Sequence, residues 1–364
     1  MVNVEGTVEY AVNLVNKRLS EFFGELRVEV INEAPKAVDL ATITQDYTMR
    51  GGKRLRALLA LVGYWSKGWR QGDEKVITGI MAAIELLQSY LLIHDDIMDK
   101  DMLRRGGPTV HVWFSKKCRE SSWRDCEHYG VSQAITAGDL LEASAVGLLA
   151  SACLNTNVLK DLVLTYARGL RKVAYGQYLD VLFSQLPLSS VHEDDIMLVY
   201  KLKTSSYTVE LPLHLGAIAS GKYNDALLRE LSAYAIPAGI AFQIRDDIIG
   251  LYGDPSITGK PSGSDVKSKK KTILVIKAYE LANRNDKAIL EEVYNVLAEH
   301  EITSSHVEEV RRIVKESGGL NYAEDLINKY VDMANGALES SREICEEAKK
   351  YLKELTYKLS YREK

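Results

Sequence analysis

The sequence predicts an all-α protein in which long, mostly antiparallel helices are joined by short loops. Apolar residues recur at helical spacing over most of the chain, which is typical of helices that bury one face. Alternating β-branched residues are nearly absent, and only seven prolines interrupt the 364 residues. Because no shift in composition marks a boundary, we expect one domain over residues 1–364.

The expected elements follow one another along the chain. Residues 1–34 carry apolar and charged positions at helical spacing, and Pro35 ends this first helix. A short helix should precede the glycine turn at 51–52. Helical patterns then cover residues 54–67, 74–100, 130–154, 157–184, 193–220 and 224–251, with several more after 271. Segments 114–129, 184–192 and 253–270 are predicted loops, and the tail from Ala337 to Lys364 is a predicted charged helix with a solvated face.

Composition argues against two broad classes of function. A formal net charge of −4 provides no basic surface for nucleic acid. The longest small and apolar run, Ile135 to Leu154, contains Asp139 and Glu142, which suits a buried helix better than a membrane span. The first ten residues include two glutamates and no apolar signal core. We therefore expect a soluble, cytoplasmic protein with no nucleic-acid partner and no membrane span.

The cysteines are few and scattered, which favours a reducing compartment over a disulfide scaffold. They stand at Cys118, Cys126, Cys153 and Cys345. His111 and His128 lie near the first two, so a zinc site is an alternative, although no CxxC pair supports it. Otherwise these thiols belong to a surface insertion and have no role.

The stretch from Glu85 to Arg105 combines an apolar helix with a cluster of acids. Asp95 and Asp99 share one helix face, and Asp96 adjoins the first of them. Three crowded carboxylates repel one another unless a cation lies among them, and Mg²⁺ prefers carboxylate oxygens together with substrate phosphates. A solvated acidic face is the alternative, but the apolar run Leu86–Ile93 argues against it. The stretch therefore predicts a site for metal and phosphate.

A second stretch has the same character. Residues 242–254 read FQIRDDIIGLYGD, with an adjacent pair at Asp246 and Asp247, and the Gly/Lys loop GKPSGSDVKSKKKT follows at 259–272. Arg104 and Arg105, just after the first acids, can supply forked donors to phosphate oxygens. Two acidic helix ends with basic loops predict a diphosphate held by metals from two sides.

Taken together, these motifs resemble the trans-isoprenyl diphosphate synthase family of head-to-tail prenyltransferases. The resemblance runs from about Gly51 to Thr272, in family order, through GGKRLR (51–56), DDIMD (95–99), RRGGPTVH (104–111), AGDLL (137–141), GQYLD (176–180), KTSSYTVELPLHLGA (203–217), FQIRDD (242–247) and GKPSGSD (259–265). It implies a helix bundle around a deep central cavity, usually a homodimer, that condenses isopentenyl diphosphate with an allylic diphosphate (dimethylallyl, geranyl or farnesyl).

The resemblance also implies roles for the acids and for the residues near the reacting carbons. Asp95, Asp99 and Asp246 would ligate two or three Mg²⁺ ions, with Asp96 and Asp247 supporting them. These ions would meet the negative charge that builds on the leaving diphosphate. Two further residues, Thr204 and Gln243, would line the region of the carbocation.

Basic residues would hold the two substrates. By resemblance the allylic diphosphate is expected to contact Arg104, Lys203 and Lys260, with Lys270 at the place of a further family lysine. Isopentenyl diphosphate, which needs no metal, is expected to contact Lys53, Arg56, Arg105 and Gln88. Within GQYLD, Gln177 and Asp180 would either support the site or only make hydrogen bonds in the core.

Three features depart from the family pattern. Most members carry a histidine where Gln88 stands, so the isopentenyl site loses a charge. Gly250 replaces the usual last aspartate of the second motif, as in sequences of archaeal type. The region 114–129 is longer than is typical.

Product length is expected to depend on the helix before the first acids. At about 1.5 Å per residue, a side chain five positions before Asp95 lies ~7–8 Å farther down the cavity. Tyr90 stands there as a bulky floor, with Leu91 and Leu87 as the other chain-length candidates. This pattern resembles geranylgeranyl synthases and predicts a C20 product, with C15 and C25 as rivals. The alternative is that Tyr90 only packs between helices.

Two other functions are compatible with parts of this pattern. A terpene cyclase uses a similar acidic motif but binds one diphosphate and does not need GGKRLR. A non-catalytic prenyl-diphosphate-binding subunit would be expected to have broken acids, whereas Asp95, Asp96 and Asp99 are all present. The departures at Gln88 and Gly250 keep that second alternative open.

Overall fold

Helices form almost all of the regular structure in the computed structural model, which describes residues 4–68, 74–152, 155–253 and 263–362. The first nine helices are α1 (Val4–Glu33), α2 (Val38–Met49), α3 (Leu55–Tyr64), α4 (Lys75–Met98), α5 (Val110–Glu120), α6 (Cys126–Ala152), α7 (Thr156–Gln185), α8 (Glu193–Val199) and α9 (Leu211–Ala219). The others are α10 (Asp225–Tyr252), α11 (Ser264–Lys267), α12 (Ile273–Leu281), α13 (Arg284–Glu291), α14 (Ser304–Glu316), α15 (Gly319–Ser340) and α16 (Glu346–Ser360). The all-α prediction is confirmed.

Short elements lie between these helices. A two-stranded antiparallel hairpin, β1 (Leu103–Arg104) and β2 (Gly107–Pro108), follows α4. Short 3₁₀ turns occupy Pro35–Ala37, Leu188–Ser190 and Glu299–Glu301, and π-helical segments occupy Tyr200–Glu210 and Glu292–Val296. The helix predicted over 193–220 is confirmed, and its middle, Tyr200–Glu210, is wound as a π segment between α8 and α9.

The chain divides into two compact units, of which the first comprises Met1–Thr165 and Pro212–Tyr223. Within it α4 packs mainly on α6 and also on α3 and α1, while α5 packs on α6. The run Leu86–Ile93 forms much of the buried face of α4, as expected from its apolar side chains. Gly63 and Gly216 lie so close to the backbones of α9 and α3, respectively, that neither has room for a Cβ.

The second unit comprises Tyr166–Leu211 and Asn224–Lys364. Here α10 packs on α15 and on the π segment Tyr200–Glu210, and α12 packs on α15 and α14. Asn224 caps α10, because its side chain accepts a 2.7 Å hydrogen bond from the Leu227 amide. The expectation of a single domain over residues 1–364 stays a prediction.

Two predicted features of segment 114–129 are wrong. The segment is not a loop, since α5 continues to Glu120 and α6 begins at Cys126. Cys118 and Cys126 are also not the free thiols that we expect from the sequence, because they are joined in a disulfide with their Cα atoms 5.3 Å apart. The turn folds back on itself, because the Trp123 amide donates to the Cys118 carbonyl. The cysteine spacing did not reveal this turn. With both sulfurs bonded, the zinc alternative is excluded at this pair.

We expect this disulfide to contribute measurably to stability. Closing a loop of this length removes freedom from the unfolded chain worth about 2–3 kcal/mol. Reduction of the wild-type protein should lower the free energy of unfolding in urea by that amount. Cys345→Ser should respond like the wild type, and Cys118→Ala/Cys126→Ala should not respond to reductant. Equal stability of oxidised and reduced wild type would contradict the expectation.

The C-terminal tail is partly as predicted. Helix α16 is amphipathic with an exposed charged face, but it also buries Tyr351, Leu352 and Leu355, which the prediction of a solvated face did not include. Tyr234 of α10 donates to the Leu352 carbonyl at 3.2 Å and pairs with the Thr356 hydroxyl at 2.8 Å. The tail is therefore an integral part of the second unit.

Two of the described helices, α4 and α6, are long and apolar enough to cross a membrane by length and composition alone. The apolar window of α4 is 67% buried within the protein, which is typical of a core helix. That of α6 is only 39% buried, and Ile135 and Val146 are among its exposed residues.

Candidate active site

The first acid motif lies in the last turn of α4, in the first unit. Asp96 is fully buried, Asp95 is half-buried and Asp99, which ends the helix, is exposed. The amide of Asp99 donates to the Asp95 carbonyl at 2.8 Å, so the two residues stand one helical turn apart on one face, as predicted. The motif thus has two accessible carboxylates and one that faces the protein interior.

The buried carboxylate of Asp96 is held by two side chains. The Tyr47 hydroxyl donates to its Oδ2 at 2.6 Å, and Arg104 Nε donates to its Oδ1 at 2.5 Å. Burial raises the pKa of Asp96, while Arg104 and Tyr47 oppose that rise. Arg104 also contacts Asp101 at 3.0 Å. These contacts agree with a supporting role for Asp96. Arg104 is bonded to two acids, and its role toward the allylic diphosphate stays a prediction.

The GGKRLR segment is brought next to the paired arginines. Nη1 of Arg105 donates to the Gly51 carbonyl at 2.5 Å, and a Cβ on Gly52 would lie 3.0 Å from that guanidinium. Gly51 and Gly52 have φ angles of 95° and 125°, which few other residues adopt. Burial lowers the pKa of Arg105. These contacts bring two motifs together through Gly51 and Arg105, which are 54 positions apart in sequence.

Arg54 holds the GGKRLR segment against Glu85 of α4. Its Nη1 forms a buried 2.9 Å ion pair with Oε2 of Glu85. Its Nη2 also donates to the Thr48 carbonyl at 3.0 Å. Glu85 in turn accepts the Ala57 amide in the first turn of α3. Arg54 is thus a structural residue at the start of α3.

The other predicted residues of this unit occupy different environments. Lys53 is exposed, Arg56 is half-buried and Gln88 is buried on α4. Of the chain-length candidates, Leu87 is fully buried, whereas Leu91 and Tyr90 are half-buried. The Tyr90 ring packs edge-on against His94, with centroids 4.7 Å apart.

The second acid motif lies near the end of α10, in the second unit, and repeats the arrangement of the first. Asp247 is buried, while the side chain of Asp246 is 36% exposed. The Tyr200 hydroxyl and Nε2 of Gln243 both donate to the Asp247 carboxylate, the latter at 2.7 Å. The Thr204 hydroxyl donates to Oε1 of Gln243 at 2.6 Å. Thr204 and Gln243, predicted to act together, are therefore hydrogen-bonded to each other.

Lys203 and Lys270 lie beside this network. Nζ of Lys203 donates to Asp180 at 2.6 Å, which gives Asp180 of GQYLD a defined partner. The α7 helix approaches closely here because Gly176 has no side chain, and a Cβ there would lie 2.5 Å from the Lys203 amide. A small cleft of about 30 Å³ is lined by both lysines together with Asp180, Tyr200, Thr204 and Gln243.

The position of Gly250, at the end of the second motif, leaves little room for a side chain. A Cβ on Gly250 would lie 2.5 Å from Oδ2 of Asp265, so the Asp265 carboxylate fills the space that a larger residue would need. Asp265 belongs to the GKPSGSD segment. Lys260, from the same segment, lies outside the described residues, and its predicted role is untested.

Asp247 should make the stability of the metal-free protein depend on pH. Burial raises the pKa of Asp247 from 3.8 to about 7. Between these values the folded state keeps a proton that the unfolded chain has lost, so this stabilisation is present at acid pH and lost as pH rises through 7. From about pH 5 to pH 8 the free energy of unfolding should fall by about 2–3 kcal/mol more than in Asp247→Asn. Parallel pH curves from urea denaturation would contradict this.

The accessible acids of each motif, taken separately, fit magnesium binding of open type. Asp95 and Asp99 in the first unit, and Asp246 in the second, offer hard oxygen donors with solvent access. In the described parts of the chain, no three His, Cys, Asp or Glu side chains converge to enclose a metal. Mg²⁺ suits such an arrangement, because it usually binds one or two carboxylates and completes its shell with water and substrate phosphates.

Sequence reasoning missed three residues that contact these acids. Tyr47 and Tyr200 hold the two buried aspartates. Arg362, near the C-terminus, forms an ion pair with Asp246. Tyr200 could have been found, since it stands one turn before Lys203 on a helical segment, but nothing in the sequence links Tyr47 or Arg362 to an acid motif.

The fold and the paired acid motifs define a helical isoprenoid synthase-type protein, and comparisons with known proteins agree. A family profile described as "Polyprenyl synthetase" matches residues 38–315. The geranylgeranyl diphosphate synthase of Saccharolobus solfataricus is 36% identical over 84% of this chain and 86% of its own length. The geranylfarnesyl diphosphate synthase of Aeropyrum pernix is 32% identical over 83% and 87%.

A solved structure shows the same architecture. The geranylgeranyl pyrophosphate synthase from Corynebacterium glutamicum, complexed with isoprenyl diphosphate and magnesium, superimposes with a TM-score of 0.89 at 27% identity and covers 99% of this chain and 100% of that one. The chain belongs to the polyprenyl synthetase family, whose members are prenyl-transferring enzymes.

Proposed function

We propose that this protein is a head-to-tail prenyltransferase that condenses isopentenyl diphosphate with an allylic diphosphate and releases mainly geranylgeranyl diphosphate. The observation that carries the proposal is the repeated acid arrangement, in which a buried aspartate held by a tyrosine adjoins an accessible one. Asp96 with Tyr47 and Asp247 with Tyr200 form the two supports. The similarity to geranylgeranyl diphosphate synthases supports the choice of product.

In this proposal the accessible aspartates Asp95, Asp99 and Asp246 hold Mg²⁺. When bound, the metal stabilises the negative charge on the leaving diphosphate. The buried aspartates keep the accessible ones in place through the helix backbone. The expectation that metals on both motifs hold one diphosphate, with two or three ions, stays a prediction.

The chain's own polar groups have distinct tasks. Lys203, Lys270 and Arg104 supply fixed positive charge for the allylic diphosphate, and Lys53, Arg56, Arg105 and Gln88 bind isopentenyl diphosphate. Thr204 and Gln243, which are hydrogen-bonded to each other, would favour a nearby positive charge, because hydroxyl and carbonyl dipoles have their negative ends on oxygen. No side-chain base is assigned for the final proton, which we expect to leave with the released diphosphate.

The function is tested by a product assay with labelled isopentenyl diphosphate, Mg²⁺ and each allylic starter in turn. A C20 product from dimethylallyl, geranyl or farnesyl diphosphate is expected. A C15 or C25 product would keep the reaction and change the length assignment. A cyclised hydrocarbon without incorporation of label would favour a terpene cyclase, and no product at all would favour a binding subunit.

Product length should depend on Tyr90. If its ring forms the floor for the growing chain, Tyr90→Ala should shift the main product beyond C20, while Tyr90→Phe keeps it at C20. His94→Ala is a useful control, since it removes the neighbour of the ring and keeps the ring itself. Unchanged product length in Tyr90→Ala, measured by chromatography, would mean that Tyr90 only packs between helices.

We also propose that the protein is a cytoplasmic homodimer that pairs through α6. The incompletely buried apolar window of this helix supports the proposal, with Ile135 and Val146 exposed on it. Light scattering of the wild type and of Val146→Glu measures the oligomeric state, and a wild-type monomer would contradict this assembly.

A further inference from the structure

The C-terminal end of the second unit lies beside the second acid motif. Arg362 forms an ion pair with Oδ1 of Asp246 through its Nη2. Its carbonyl accepts a 2.6 Å hydrogen bond from Nε of Arg245, and its guanidinium lies 4.7 Å from the centroid of the Phe242 ring. Three residues of the FQIRDD segment thus contact a single arginine.

The preceding residues hold Arg362 in this place. Helix α16 is fastened to α10 by Tyr234, and buries Tyr351 and Leu355. After the helix ends, the Tyr361 hydroxyl donates to Oδ1 of Asn328 on α15 at 2.6 Å. The arginine is therefore carried by an anchored segment of the fold.

The bonding of the Arg362 guanidinium is nevertheless incomplete. Its Nε is buried and has no hydrogen-bond partner among the described residues. Burial, together with the neighbouring Arg245, lowers the pKa of Arg362. The side chain is 18% exposed, so it is largely removed from water with one ion pair as its main compensation. A divalent cation that binds Asp246 would therefore displace Arg362 at little cost.

We propose that Arg362 is a displaceable counter-ion of Asp246, which it neutralises in the metal-free protein and leaves when a divalent cation binds. The inference rests on the proposed function, in which Asp246 is a metal ligand. The Asp246 carboxylate cannot serve a guanidinium and a metal at Oδ1 together, and the two cations repel each other. Metal binding is then coupled to release of Tyr361 and Arg362, which follow α16.

The test measures Mn²⁺ binding to the full chain without substrate, from the EPR signal of free Mn²⁺. Arg362→Gln removes the partly exposed ion pair that competes with the metal for Asp246. We therefore expect this variant to bind Mn²⁺ at the site that depends on Asp246 about threefold to fivefold more tightly than the wild type. Lys358→Gln is the matched control. It removes one exposed positive charge from α16, which pairs with Glu354, and should bind like the wild type.

Asp246→Asn separates the two levels of the inference. If Asp246→Asn binds Mn²⁺ like the wild type, the proposed metal role of Asp246 fails. If it binds more weakly but Arg362→Gln equals the wild type, or Lys358→Gln gains as much as Arg362→Gln, the displacement is overturned. Hydrogen exchange of the Tyr361 and Arg362 amides in the wild type gives a second readout. Exchange should rise on addition of Mn²⁺, and unchanged exchange contradicts the release.

Discussion

Asp95→Asn should lower the turnover number by about 10³-fold. The substitution keeps the size of the side chain and removes the charge of an accessible carboxylate in the last turn of α4. A loss of this size follows when a group that stabilises charge in the transition state is removed. The protein should remain folded, because Asp95 is half-buried and the helix-ending bond from Asp99 uses only its backbone carbonyl.

Comparison with Asp96→Asn tests whether the two neighbours have different tasks. Asp96 is held by Arg104 and Tyr47 and supports its accessible neighbours through the helix backbone, so its substitution should cost about 10–100-fold in activity, as for groups that orient a metal ligand. Asp332→Asn, an exposed aspartate on α15, is the control and should retain wild-type activity. Steady-state kinetics at saturating substrates and Mg²⁺ measure all three. Turnover of Asp95→Asn within threefold of wild type would contradict the metal assignment.

Arg54→Met should lower the free energy of unfolding by about 3–5 kcal/mol, because it leaves the buried carboxylate of Glu85 without its ion-pair partner. The Glu85 carboxylate also accepts the amide of Ala57, so the start of α3 should loosen as well. Arg54 lies within the GGKRLR segment, just before α3, and we expect a raised KM for isopentenyl diphosphate in the variant.

A double substitution separates the ion pair from simple packing. Arg54→Met/Glu85→Leu removes both charges and should recover part of the lost stability, since an apolar pair can replace a buried ion pair at little cost. Arg119→Met breaks an exposed ion pair with Glu127 and should change stability by less than about 1 kcal/mol. Urea denaturation compares these variants. If the double variant loses as much free energy of unfolding as Arg54→Met and Glu85→Leu lose together, the ion pair is not the source of the loss.

The sequence predicted the helices and the accessible acids because both depend on local pattern. The apolar run that leads to Asp95, and the pair at Asp246, are visible in a window of a few residues. The buried supports depend on contacts between distant segments. Tyr47 reaches Asp96 across 49 positions, and no local period links them.

Two misinterpretations have a similar cause. The disulfide of Cys118 with Cys126 depends on a backbone turn at 121–125, and the cysteine spacing alone does not specify that turn. Helix α16 has an exposed charged face, but its apolar face packs against α10, so one side of the tail is buried. Arg362 reaches Asp246 only because this helix is docked.

The most direct test of the account is the metal dependence of condensation. Protein treated with EDTA and then freed of chelator is assayed with labelled isopentenyl diphosphate and farnesyl diphosphate, with and without Mg²⁺. We expect no product without metal and a C20 product when Mg²⁺ is restored. Product formation by the metal-free protein, or no product in Mg²⁺ with any allylic starter, would contradict it.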